Sequence, residues 1–132
     1  MSGDSRYVVT VPDRATLLQG SLGAALMLSA GQTGGRLSLV EHPLAPRALG
    51  SPVHTHRNED EYSVVLEGVI GAQIGGQVIQ AGPGTVLVKP RGVPHAFWNP
   101  ADQPAPAGGN LACGLRTVLC RPGGYPVWFA AP

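Results

Sequence analysis

Charge is scarce in this sequence. Asp, Glu, Lys and Arg together supply 13% of the 132 residues, and the formal net charge is +1. Such a balance gives no electrostatic reason to expect nucleic acid or an anionic membrane as a partner. Lys89 is the sole lysine, and the other basic residues are arginines scattered singly, so all of them are expected on an ordinary solvated surface. Cysteine is nearly absent too. Cys113 and Cys120 lack the C-x-x-C spacing of a thiol metal site, and two free structural thiols are expected. Long apolar runs are missing: the stretch Leu22–Ala30 is too short to span a bilayer. No basic segment followed by an apolar one marks a signal peptide. The expectation is a soluble, cytoplasmic chain. There is also no Gly-rich phosphate loop, no G-x-S-x-G elbow and no Cys-His nucleophile context.

Glycine (19) and proline (13) are plentiful and spread along the chain. That suits many short strands joined by turns better than long helices. The pattern predicts strands at Tyr7–Val11, Arg36–His42, Val53–His56, Glu61–Glu67, Thr85–Lys89, His95–Asn99, Leu115–Cys120 and Val127–Phe129. Val69–Ile74 and Gln77–Ala81 flank Gly75-Gly76 as a hairpin whose tight turn needs positive φ angles. Leu17–Ala30 is readable as a helical turn or a strand, and its glycines weaken the helix. Pro43–Pro52 and Pro100–Gly109 read as loops, and Pro122–Gly124 as a last turn. An all-β sandwich or barrel follows. One domain over 1–132 is expected, its core at about 34–129 and a strand extension at 1–33.

Three of the four histidines fall into two compact clusters. His54 and His56 lie two apart, so on a strand both rings project from one face. Glu61, beyond a four-residue turn, can return a carboxylate to the same point from the next strand. The second cluster places His95 after the proline-bounded turn Pro90–Pro94. Three imidazole nitrogens and one carboxylate oxygen suit a single divalent transition metal: Fe, Mn, Ni, Co or Zn. Phe97 shares strand parity with His95, and Ser63 and Val65 with Glu61, so these three are candidate walls of a substrate pocket. Trp98 is expected to face the other way. His42, ahead of Pro43, reads as a strand-end polar residue rather than a ligand.

These clusters resemble the two motifs of the cupins, G-x5-H-x-H-x3,4-E-x6-G and G-x5-P-x-G-x2-H-x3-N. Gly84, Pro90, Gly92, His95 and Asn99 match every fixed position of the second. His54, His56, Glu61 and Gly68 match the first, whose leading glycine is displaced: Gly50 stands closer to His54 than the motif asks. Distance to Gly68 selects Glu61 over Glu59 and Asp60, leaving those two as turn charges that can orient ligands. Segments 34–41, 59–68 and 89–99 are further similar to the small monocupins grouped with quercetin 2,3-dioxygenase, over roughly residues 20–100. After residue 100 the pattern departs, because Pro100–Gly114 intervenes before the closing strand. The resemblance implies a double-stranded β-helix barrel, a metal inside its mouth held by His54, His56, Glu61 and His95, and a homodimer. Asn99 is then expected to fix a strand end by hydrogen bonds.

The function expected first is a metal-dependent, dioxygenase-like oxidoreductase acting on an enolisable or aromatic hydroxylated small molecule. The alternatives are a redox-silent isomerase, lyase or cyclase, and a non-catalytic cupin that binds a small ligand or metal. For the redox-silent case Tyr62, Glu41 and His42 are candidates for proton transfer.

Overall fold

Alternation of inward and outward side chains decides the architecture. In β5 (Asp60–Glu67) Glu61, Ser63 and Val65 are buried while Tyr62, Val64 and Leu66 are exposed, the period-2 pattern of a strand with one face on a core. A computed structural model describes residues 15–18, 22–102 and 113–121 of the chain. The strands predicted at Tyr7–Val11 and Val127–Phe129, the turn at Pro122–Gly124 and most of the Pro100–Gly109 loop lie outside the described residues.

The other strands are β1 (Ala15–Leu18), β2 (Ala24–Leu28), β3 (Leu37–Leu44), β4 (Leu49–His54), β6 (Ile70–Ile74), β7 (Gln77–Ala81), β8 (Val86–Lys89), β9 (His95–Trp98) and β10 (Cys113–Cys120). A 3-10 turn at Ala30–Thr33 joins β2 to β3. Of the ambiguous Leu17–Ala30 stretch, the described residues place Leu17 and Leu18 in β1 and Ala24–Leu28 in β2, with Ala30 opening the 3-10 turn. Among the described residues all pairings are antiparallel, in a six-stranded sheet ordered β1-β2-β3-β10-β5-β8 and a four-stranded sheet ordered β4-β9-β6-β7. The sheets face one another around a core that includes Leu44, Val65, Ile70, Leu87, Phe97 and Leu115. This is an all-β, jelly-roll barrel.

Two prolines do less to the strands than the sequence predicts. β3 runs through Pro43 to Leu44. The Pro43 carbonyl accepts from the Gly23 amide at 2.8 Å, and Gly23 makes room for the ring, since a Cβ there would lie 2.5 Å from Pro43 Cγ. β4 begins inside the expected Pro43–Pro52 loop and contains Pro52. It is an edge strand of its sheet, where a residue lacking an N–H is tolerated. The displaced Gly50 also has a packing role. A Cβ at Gly50 would sit 2.1 Å from Phe97 Cε2, so its bare backbone lets that ring lie flat against β4.

Cys113 and Cys120 stand at opposite ends of β10. Seven strand steps separate them by about 23 Å, far beyond the reach of a disulfide, and Cys120 is free.

Candidate metal centre

The centre sits where β4 and β9 of the small sheet meet the end of β5. His54 is the last residue of β4 and pairs in register with His95, the first of β9. His56 lies two residues past the strand end, yet its ring still converges on the others. Its carbonyl accepts from the Gly92 amide at 2.8 Å, tying it to the Pro90–Pro94 turn. Gly92 has φ 77°, a left-handed conformation that favours glycine. Asp60 closes the same corner by accepting from the Arg91 amide at 2.9 Å. Ring centroids are 4.4 Å apart for His54 and His95, 5.0 Å for His54 and His56, and 5.3 Å for His56 and His95. Glu61 Oε1 lies 3.5 Å from His56 Nε2, and Oε2 3.4 Å from His95 Nε2. One ligand atom from each of His54, His56, Glu61 and His95 falls within 4.8 Å of all the others.

Hydrogen bonding decides which nitrogen each ring presents. His54 Nδ1 lies 2.9 Å from the Pro52 carbonyl and His95 Nδ1 lies 3.3 Å from that of Val93. A carbonyl only accepts, so both Nδ1 atoms carry the hydrogen and both Nε2 atoms offer a lone pair. His95 Nε2 is buried and makes no hydrogen bond; the nearby Glu61 oxygen is outside bonding geometry. A buried acceptor without a donor is costly, and a divalent cation is a partner that satisfies it. Burial pushes the His95 pKa below 6.5, against the pull of Glu61, so the ring stays neutral as a ligand must. By donor type, tautomer and spacing, the four residues fit a divalent transition metal.

Glu61 wins over its acidic neighbours on physical grounds as well. Asp60 is engaged by Arg91, and Glu59 accepts from Arg121 Nε at 3.3 Å. Only Glu61 points inward.

Sequence reasoning missed Lys89, and the expectation of a solvated surface lysine is overturned. Lys89 pairs in register with Glu61 across β5–β8 and is 0% exposed. Its Nζ donates to Glu61 Oε2, and to Ser63 Oγ at 2.7 Å. Ser63 Oγ shares a 2.7 Å hydrogen bond with Thr117 Oγ1, and Nζ stands 5.1 Å over the centre of the Phe97 ring. Burial alone would raise the Glu61 pKa; the Lys89 ammonium, its hydrogen bond and the two histidines more than reverse this and hold the carboxyl below its usual value. Burial lowers the Lys89 pKa, and Glu61 opposes that shift.

His42 is the second surprise. Instead of ending a strand, it lies within β3 opposite the buried Leu115, and its ring sits 5.6 Å from that of Phe97 on the facing sheet. Its Nδ1 donates to the Gly23 carbonyl at 3.2 Å, and burial lowers its pKa, with Glu61 raising it and Lys89 lowering it more weakly. The other proton-transfer candidates face away. Tyr62 is on the outer face of β5. Glu41 accepts from Arg116 Nε at 3.0 Å, in the register row of the exposed Val64. Ser63, Val65 and Phe97 all face inward as expected from parity: Val65 and Phe97 join the core, and Ser63 is held by Lys89 and Thr117. Trp98 points the other way, against Gly71. Asn99 Nδ2 donates to the Leu44 and Ala45 carbonyls at 3.2 and 3.1 Å, fixing the end of β9.

The described residues form an antiparallel barrel in which three histidines and a glutamate gather into a cluster that could hold a metal ion. The family model of the cupin domain matches residues 41–107, just over half the chain, and the chain belongs to that family. Solved structures agree on the fold. A predicted oxalate decarboxylase from Thermotoga maritima superposes with a TM-score of 0.73 at 18% identity, covering 86% of this chain and 98% of that one. KdgF from Halomonas sp. gives 0.66 at 13%, covering 86% and 93%. Bacillus subtilis oxalate decarboxylase, described with Mn(II) centres, gives 0.66 at 19%, covering 83% of this chain and 28% of that much longer one. At such identities the likeness is one of fold. No curated protein sequence matches significantly. No helix among the described residues is long and apolar enough to cross a membrane.

Proposed function

We propose that this cupin is a metal-dependent enzyme for a small molecule, in the first reading a quercetin dioxygenase-like oxygenase acting on an enolisable or aromatic hydroxylated substrate. The observation that carries it is the convergence of His54, His56, Glu61 and His95 around the unbonded, buried His95 Nε2. A bound Fe, Mn, Ni or Co ion would supply a Lewis-acid point and redox reach toward dioxygen, whereas Zn would supply the first alone. The chain's own part is to orient. The Pro52 and Val93 carbonyls fix the His54 and His95 rings, Lys89 holds Glu61, and Phe97 and Val65 keep bulk water away. The test is oxygen uptake with flavonols and other enolisable compounds after anaerobic metal loading. Uptake that disappears in His95→Ala is expected; silence across metals and substrates removes the oxygenase reading.

One observation favours a second reading, a redox-silent isomerase, lyase or cyclase. His42 faces the barrel interior with Nδ1 held by the Gly23 carbonyl and its pKa lowered by burial, which makes its other ring nitrogen a candidate base. Turnover without oxygen, retained with Zn and lost in His42→Phe, selects it. Ligand binding with no turnover under either condition selects a binding cupin.

For the homodimer, the outer face of β5 and the edge strand β8 gives support. Tyr62, Val64, Val86 and Val88 lie side by side there, 37–53% exposed, and contiguous apolar stripes on an edge strand are normally covered. Sedimentation should show a dimer that Val88→Glu dissociates; a wild-type monomer removes this contact.

A further inference from the structure

The residues that strand parity predicts as pocket walls leave little room beside the centre. Val65 and Phe97 are packed into the core, and Ser63 is fully buried against Thr117. Room for a ligand has to lie in another direction, and the register of the large sheet supplies one. Glu61 pairs with Leu119 of β10, and Leu119 pairs with Ser38 of β3. Leu119 shares strand parity with Leu115 and Thr117, both buried, so Glu61, Leu119 and Ser38 form one row across the inner face. That row leaves the core as it crosses the sheet: Glu61 is buried, whereas Leu119 and Ser38 are partly exposed.

A cavity of about 260 Å³ is lined by Leu119 and Ser38, with Ala30 of the 3-10 turn on one side and Arg121 and Glu59 at its rim. Arg121 Nε donates to Glu59 Oε1 at 3.3 Å, and the Arg121 amide to the Arg36 carbonyl at 3.2 Å, which holds the guanidinium at that rim. Sites for whole ligands usually enclose about 300–1,000 Å³, so this space suits one arm of a ligand. Neighbouring strands lie about 4.8 Å apart, which puts Leu119 one strand and Ser38 two strands from Glu61, within reach of a ring carried on a metal-bound molecule. An apolar side chain and a neighbouring guanidinium together suit a flat aromatic ring.

We propose that Leu119 and Ser38 form a specificity subsite that takes one aromatic ring of a ligand whose donor atom binds the centre. The inference rests on the metal-site reading above and deepens it. It separates ring-bearing ligands from small enolisable compounds, a distinction that the donor set alone does not make.

The experiment uses two neutral nitrogen donors that differ in one substituent, 1-methylimidazole and 1-phenylimidazole. Wild type, Ser38→Phe, Leu119→Ala and Arg121→Ala are loaded with Co(II), whose visible absorption reports changes in coordination. Metal content is measured, and each protein is titrated with both compounds. Ser38→Phe fills the cavity and Leu119→Ala removes its apolar wall; Arg121→Ala changes a largely exposed rim residue and so spares the fold. In wild type 1-phenylimidazole is expected to bind about tenfold more tightly than 1-methylimidazole, the order that burying one ring contributes. The preference is expected to vanish in Ser38→Phe and Leu119→Ala and to fall about threefold in Arg121→Ala, with 1-methylimidazole affinity equal in all. No preference in wild type, or one that survives in both cavity variants, overturns the inference and leaves the metal site standing. Should neither cavity variant fold with Co(II), an unchanged preference in Arg121→Ala overturns it. Equal losses for both compounds also overturn it, because the substitutions would then act on the centre itself. A wild type that takes up no Co(II) sinks the metal-site reading, and this inference with it.

Discussion

The four histidines differ in what their second nitrogen does. His54, His95 and His42 each spend Nδ1 on a backbone carbonyl, which fixes the tautomer and aims Nε2. For His54 and His95 that aim is the cluster; for His42 it is the barrel interior. The difference has a measurable signature in the pH dependence of stability. Burial sets the folded-state pKa of His42 below 6.5, so between that lowered value and 6.5 the unfolded chain binds more protons than the folded one. Stability therefore rises with pH through this window, is complete above 6.5, and is lost as pH falls. His42→Phe removes the contribution, and urea unfolding of metal-free protein should show a shallower decline below pH 6.5 than wild type; identical slopes contradict the account. Because His95 is shifted the same way, protons compete with metal for that ring only below its ordinary range.

At this scale the sequence was most informative about the ligands. The resemblance to the cupin motifs selects His54, His56, Glu61 and His95, and the structure brings those four side chains within reach of one point. It was least informative about Lys89, for a physical reason. Val86, Leu87 and Val88 are apolar on both faces of β8, so no polar alternation says which side Lys89 takes, and its partner Glu61 is 28 residues away in the chain.

Between elements, the site depends on close approaches that side-chain type does not reveal. β9, which carries both His95 and Phe97, pairs with β4, and the Phe97 ring lies so close to Gly50 that a Cβ there would clash with it. Gly50→Ala must push the Phe97 ring aside. The expected cost is about 1–3 kcal/mol of stability from overpacking, with weaker metal binding because β9 moves; an unchanged denaturation midpoint and metal affinity contradict it. The same glycine explains the one imperfect match to the first cupin motif: at its displaced position it faces Phe97. The hairpin around Gly75-Gly76 and the strands β8 and β9 were legible from the turns that bound them, and β5 from its period-2 alternation. The extent of β3 and the start of β4 were not, since Pro43 and Pro52 read as breakers until an edge position and the Gly23 contact account for them.

For the whole molecule, the barrel supplies stability and the centre adds to it. Leu115 is fully buried between the sheets, and Leu115→Ala is expected to cost about 2–5 kcal/mol, read as a lowered urea midpoint; a loss below about 1 kcal/mol would place Leu115 outside the core. An ion that binds the folded chain alone raises its melting temperature in proportion to the logarithm of its concentration. That rise is expected for wild type and not for His54→Ala. Fold class was readable from strand count and glycine-proline punctuation. The reaction was not, because one barrel and one ligand set serve many chemistries.

The proposed centre holds one divalent ion through His54, His56, Glu61 and His95. Elemental analysis of protein purified without chelators, repeated after loading with Fe, Mn, Ni, Co and Zn, tests it most directly. About one ion per folded chain is predicted for wild type, falling to a small fraction in His54→Ala and His95→Ala. Wild type without stoichiometric metal under every loading condition, or variants that retain it in full, would contradict the central claim.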